Sequence, residues 1–228
     1  MGLSTLVTDP RTFFARRRDD PSLVGPALVV VAHALLVIAP TALLLRTFGR
    51  LLSEIDLGTL VYATASQRVS APGSFVLLLW VNAVAYFAIW LAVAAVIYLV
   101  SLYFDGEGPF RRVLAFVGWT LAPTLIPAAA SAVAMTAIFL DAPTFASEAA
   151  LNQWVRSTVV DHPARVAVDF ARPLFTLWVV YLWTLAAEYG RDLTQRQALL
   201  CIALPGGIAV LNAVGTYVAF LAQVLGLV

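Results

Sequence analysis

The stretch YFDGEGPFRRVLAFVGWTLAP, Tyr103 to Pro123, sets a short charged turn between two long apolar runs. Phe75–Phe104 carries no formal charge before it, and Val113–Leu140 carries none apart from its flanks after it. Between them stand Asp105, Gly106, Glu107, Gly108 and Pro109, followed by Arg111 and Arg112. Glycine permits the positive φ that ends a helix, and the fixed φ of Pro109 sets the return. Arg111 and Arg112 then fall at headgroup level, where each gains about 1 kcal/mol from anionic lipid. Asp105 and Glu107 are expected to pair with them. The stretch reads as a sharp, water-facing hairpin joining two membrane helices.

Composition supports the same solvent. Of 228 residues, 61% are hydrophobic and 12% charged, against about 25% charged in soluble domains. Mean hydropathy is +0.90. Apolar runs of about 20 residues match the bilayer core, and five segments qualify: Leu23–Leu45, Phe75–Phe104, Val113–Leu140, about Val166–Ala187 and about Ala198–Val228. The expected fold class is an all-α bundle of five transmembrane helices, residues 23–228, behind a cytoplasmic segment, residues 1–22. The fourth span is the shortest in charge-free length. A helix beginning at Pro163 suits the preference of proline for a first helical position, and puts Arg165, Asp169 and Arg172 on one face. That face reads as an interfacial first turn holding its own ion pairs, or as a buried charged group facing a polar cavity.

Arginine placement sets the orientation. Arg11, Arg16, Arg17, Arg18, Arg111, Arg112, Arg191 and Arg196 fall on one side of five spans, and Arg46, Arg50, Arg68, Arg156, Arg165 and Arg172 on the other. The denser set predicts a cytoplasmic N-terminus and an external C-terminus in a cell membrane. Leu23–Leu45 is too long for the apolar core of a cleaved signal and reads as a retained span. The outer loops are expected to hold amphipathic interfacial helices. Around Leu45–Leu57, Phe48, Leu51, Leu52 and Ile55 interleave with Arg46, Arg50 and Glu54. In Thr144–Val160, Leu151, Trp154, Val155 and Val159 share a helical face, with Thr144, Ser147 and Glu148 at its start.

Two segments also resemble the Yip-domain family of polytopic membrane proteins. One is Gly106-Glu107-Gly108-Pro109-Phe110-Arg111-Arg112, followed by an apolar helix with Gly118, Pro123 and Pro127. The other is Asp9-Pro10-Arg11-Thr12-Phe13-Phe14, with Asp20-Pro21 ahead of the first span. The resemblance implies five spans and a cytoplasmic N-terminus. Eukaryotic members work in vesicle traffic, contact Rab-type GTPases and associate with one another and with membrane-shaping proteins. The absence of lysine and the short tails look prokaryotic, where the resemblance implies a fold more than a task.

Chemistry-bearing residues are few. A net charge of +1 gives no field for nucleic acid. Two histidines without Cys or Glu at metal spacing make no metal site, no cofactor motif occurs, and Ser74 lies in no nucleophile elbow. Cys201 reads as a small core residue. The chain is therefore expected to be non-catalytic, an organiser or adaptor in the membrane. Its partners would be lipids, a second copy or another membrane protein. Phe13, Phe14, Asp105, Glu107, Arg111 and Arg112 form the expected contact surface, with the two phenylalanines as interfacial anchors. The alternative is a small transporter. Pro123, Pro127, Pro205 and Gly206 would then break helices, and His33, Asn82 or Asn212 would line a midplane path. Ala203 with Gly207 and Gly215 with Ala219 have the small-xxx-small spacing of close helix contacts.

Overall fold

A computed structural model describes residues 3–19, 21–48, 54–56, 68–154, 157–158 and 162–224. Nine helices run through these residues: α1 Leu3–Thr8, α2 Pro10–Ala15, α3 Val24–Phe48, α4 Ala71–Leu102, α5 Phe110–Trp119, α6 Leu125–Leu140, α7 Glu148–Trp154, α8 Pro163–Arg191 and α9 Gln195–Val224. A 3-10 turn, Ala122–Thr124, joins α5 to α6. The expected helix around Leu45–Leu57 is replaced in part. Here α3 continues to Phe48, and Glu54–Asp56 forms a strand, β1, antiparallel to β2, Arg68–Ser70, with Ile55 opposite Val69. The β-branched residues at that pair favour extended backbone.

Val84–Leu102, Phe110–Leu140 and Gln195–Val218 are long and apolar enough to cross a membrane, and Val24–Pro40 is a shorter apolar helix. Their outward faces are apolar. Leu28, Leu99, Val133, Leu204 and Leu211 are all exposed, an arrangement that water would penalise and lipid accommodates. The helix expected as the fourth span begins where proline suggested, with Pro163 as the first residue of α8, but it is not among the described helices long and apolar enough to cross a membrane. The side chains of Arg165, Asp169 and Arg172 lie outside the described set, and so do Val155 and Val159.

Two compact units divide the chain. The first comprises Met1–Val31, Phe87–Leu125 and Asp169–Val228. Its core holds Ala94 and Ile97 of α4, Val113, Phe116 and Val117 of α5, and Leu182, Leu185 and Ala186 of α8, all buried, closed by Leu6, Phe13 and Phe14 from α1 and α2. The second comprises Ala32–Tyr86 and Ile126–Val168. There Ile138 and Phe139 pack with Leu151 of α7, flanked by Phe145 and Trp154. So α7 exists as expected, but Ser147 caps it rather than Thr144: its Oγ accepts from Ala150 N at 3.3 Å. Leu151 is buried in the unit's core.

The proline breaks are uneven. Pro123 is buried in the 3-10 turn and does interrupt the span. Pro127 is the third residue of α6, where the N–H that proline lacks has no intrahelical acceptor anyway. Pro205 lies inside α9, which runs through it without interruption.

Candidate functional site

The charged turn is built from two helix ends of the same kind. At the end of α4, Asp105 N–H donates to Leu102 O and Gly106 N–H donates to Ser101 O at 3.0 Å. At the end of α8, Leu193 N–H donates to Glu188 O at 3.1 Å. Each six-to-one bond is that of a Schellman ending, whose penultimate residue takes left-handed backbone. Here aspartate holds that position twice: Asp105 has φ 53° and Asp192 φ 58°. Asp tolerates this region better than most residues other than glycine. The expected glycine role is thereby corrected, since Gly106 follows the left-handed residue and does not occupy it. Gly108 does take positive φ, 104°. Pro109 is extended and starts α5, as expected.

The two glycines let the turn lie close to the end of α8 and to Arg112. A Cβ on Gly106 would stand 3.0 Å from Ser101 O and 3.2 Å from Arg191 O. One on Gly108 would stand 2.7 Å from Arg112 Nη1 and 3.0 Å from Gly190 O. The buried Arg191 side chain bonds to the same turn. Its Nε donates to Ser101 Oγ at 2.7 Å, Nη1 to Gly108 O and Nη2 to Gly106 O. Its guanidinium lies 4.5 Å from the Tyr98 ring centroid, and Glu107 N–H returns a bond to Arg191 O at 2.8 Å. A buried cation is tolerated because its donors are met by fixed acceptors. In the sequence Arg191 counts only as a positive charge, and no local pattern marks its role, because the carbonyls it binds lie 83 and 85 residues away.

Asp192 ties in two further segments. It accepts from Arg18 Nη2 at 2.6 Å and from Arg112 Nη1 at 3.5 Å. Arg11 pairs with Glu188 at 3.1 Å. The next helix starts with a capping box: Thr194 N–H donates to Gln197 Oε1, and Gln197 N–H to Thr194 Oγ1, satisfying two terminal donors. The N-terminal segment is capped too. Asp9 accepts from Thr12 N–H at 3.2 Å with Pro10 at the first helical position. The bonds from Thr12 hold the Asp9 carboxyl below its ordinary value of 3.8.

The expected contact residues separate on this frame. Phe13 and Phe14 are core, not surface anchors. Phe13 meets Trp119 edge-on at 5.6 Å and Phe14 packs on Phe116 at 5.1 Å. The apolar surface of α5 receives them, which removes them from any headgroup interface. Arg112 is half-buried and turned to Asp192, while Asp105, Glu107 and Arg111 are exposed. Among the described residues neither Asp105 nor Glu107 forms an ion pair with Arg111 or Arg112.

The residues of the alternative path, so far as they are described, take separate places. His33 is half-buried with its ring 4.7 Å from that of Tyr86. The Asn82 side chain lies outside the described set. Asn212 is on an exposed face of α9, where its carbonyl accepts from Thr216 Oγ1 at 2.9 Å. Gly206 is buried, and a Cβ there would stand 2.9 Å from Ile202 Cδ1 and 3.2 Å from Val180 Cγ1. It is a contact between α9 and α8. Gly207 and Gly215, expected at close contacts, have nothing within 4 Å of an added Cβ. Cys201 is buried, as expected of a core residue. No cluster of His, Cys, Asp and Glu able to hold a metal occurs among the described residues.

Comparison with known proteins agrees with the resemblance. The model of the Yip1 domain matches residues 4–217. An uncharacterized protein of Methanocaldococcus jannaschii is 25% identical over 133 residues, 56% of this chain and 84% of that protein. No solved structure matches. The match runs through the N-terminal helices, the charged turn and the apolar helices alike, so the chain is a multi-pass membrane protein and belongs to the Yip1-domain family.

Proposed function

We propose that the protein is a non-catalytic adaptor or organiser of a cell membrane, acting through the rigid turn that follows α4. The observation that carries this reading is the buried Arg191 side chain bonded to Ser101, Gly106 and Gly108. It fixes the backbone of a turn whose tip carries exposed Asp105, Glu107 and Arg111 beside Tyr103, itself 85% exposed. A preformed polar tip with an aromatic side chain loses little entropy on binding, and Tyr and Arg are residues on which partner contacts concentrate. In this reading five helices cross the bilayer, α3, α4, α5 with α6, α8 and α9. The turn lies in the cytoplasm with the N-terminus, and the C-terminus lies outside, as the arginine distribution favours. The occupant is another membrane protein or a second copy.

Crosslinking in native membranes, followed by mass spectrometry, tests this. The charge reversals Glu107→Arg and Arg111→Glu lie on exposed side chains, so the thermal midpoint should hold while the crosslinked partner is lost. A crosslinking pattern unchanged by both reversals would reject the turn as the contact surface.

A further inference from the structure

The outward face of α9 carries a polar group that the chain itself does not satisfy. Asn212 is exposed within Gln195–Val218, a stretch long and apolar enough to cross a membrane. Its backbone carbonyl accepts from Thr216 Oγ1, but its carboxamide makes no hydrogen bond among the described residues. The charge-free run begins at Ala198, and Asn212 stands about 21 Å further along the helix axis. That depth lies within a hydrocarbon core of about 30 Å. An asparagine side chain is too short to reach the headgroups from there, as lysine and arginine do. Acyl chains offer neither donor nor acceptor, so an unpaired amide among them is costly.

The chemistry of the group and its depth identify what covers it. A carboxamide carries donors and an acceptor together, so two copies of the same residue satisfy each other with no further partner. Copies inserted in the same sense are related by a two-fold axis normal to the membrane. That axis brings Asn212 of one copy to the depth of Asn212 of the other. The neighbouring positions permit the approach. Ile208 and Gly215 lie four residues before Asn212 and three after it, on the same stripe of the helix. Ile208 is 61% exposed, and a Cβ added at Gly215 would meet nothing within 4 Å. Glycine at that place lets two backbones come close. The face of α9 that packs within the chain is a different one, where Gly206 meets Val180 of α8. We propose that Ile208, Asn212 and Gly215 form the interface of a parallel homodimer, closed by reciprocal hydrogen bonds between the two Asn212 carboxamides. This surface is separate from the charged turn and does not rest on the function proposed for it.

The test uses the full chain. Sedimentation equilibrium in a density-matched detergent should show a monomer–dimer equilibrium for the wild-type protein. Asn212→Leu should raise its dissociation constant about fivefold or more, the size of a hydrogen bond between membrane helices. The side chain lies on the outward face, so helix content by circular dichroism should be unchanged. Asn212→Gln keeps a carboxamide and should retain more of the dimer than Asn212→Leu. In membrane vesicles, oxidation should link copies carrying Ile208→Cys in a Cys201→Ala background. Copies carrying Val214→Cys should not link, because Val214 is 54% exposed on another flank of α9. Glu107→Arg and Arg111→Glu should leave the dimer intact, which separates this surface from the turn. A wild-type chain that is monomeric in detergent and gives no crosslink at position 208 overturns the proposal. So does an Asn212→Leu variant that dimerises as the wild type does, or equal crosslinking at positions 208 and 214. Loss of the dimer in the turn reversals but not in Asn212→Leu would place the contact at the turn and overturn it too. The sedimentation arm needs no substitution at Cys201, so it decides even where that background fails to fold.

Discussion

Arg191 and Gly108 are 83 residues apart in the chain, and the guanidinium Nη1 of one donates to the carbonyl oxygen of the other. Ser101 and Gly106 complete the set. Arg191→Met should leave the buried Ser101 hydroxyl and the half-buried carbonyls of Gly106 and Gly108 without this donor and cost about 3 kcal/mol, as for lost hydrogen bonds to a charged group. In a chain of this size that lowers the thermal midpoint on the order of 10 °C. Arg191→Lys should restore only part of it, because an ammonium cannot bridge both carbonyls. Thermal unfolding in one detergent across the three chains checks this; a midpoint unmoved by Arg191→Met excludes the latch.

The turn positions respond in opposite directions. Gly108→Ala forces a side chain into positive φ and onto Arg112, at a cost of about 1–3 kcal/mol. Asp105→Gly relieves a left-handed non-glycine residue and should be neutral or stabilising by up to about 1 kcal/mol. Midpoints measured side by side decide it, and the account fails if Asp105→Gly is the more damaging of the two.

Phe14→Ala should cost about 3–5 kcal/mol, since the side chain is fully buried on Phe116. It should also release the first helices, so that trypsin cleaves at Arg16 and Arg17 faster than in the wild-type chain. An interfacial anchor would instead lose lipid affinity with no change in cleavage.

On α9, neighbouring glycines separate a packing contact from a flexible gate. Gly206→Val should destabilise by about 1–3 kcal/mol through overpacking against Ile202 and Val180. Gly207→Ala meets open space and should be neutral or slightly stabilising, as helix propensity dictates. Equal losses at both positions in a midpoint assay would point to flexibility instead.

Acid should loosen the N-terminal segment through Asp9. Its carboxyl is held below 3.8, chiefly by the side-chain hydrogen bond with Thr12. The cap therefore contributes in full above about pH 4 and fades as the pH falls through the lower folded value. Asp9→Asn retains a capping side chain that does not titrate. Hydrogen exchange at Thr12 between pH 5 and pH 3 should rise less in that variant than in the wild-type chain, after correction for intrinsic rates.

Long apolar runs, and the proline before the fourth of them, were enough to place α3, α4, α6, α8 and α9, because helix length and composition are local properties. Pro123 and Pro205 look alike in the sequence, yet only the first interrupts its helix. Loop chemistry was legible in kind but not in assignment. The sequence offers Asp105 as an acid for Arg111 and Arg112, whereas its backbone ends α4 and Arg112 turns to Asp192. Phe13 and Phe14 look like anchors until the face of α5 that receives them is known. Arg191 was the least visible, since a guanidinium that binds carbonyls across 83 residues leaves no pattern in its neighbourhood.

Synthesis runs from the N-terminus, so the ribosome delivers Gly106 and Gly108 long before Arg191. The turn is therefore made with those carbonyls unmet, and only once α8 is complete can the arginine reach them. A nascent chain halted ahead of residue 191 should expose the loose peptide groups of this bend to proteolysis.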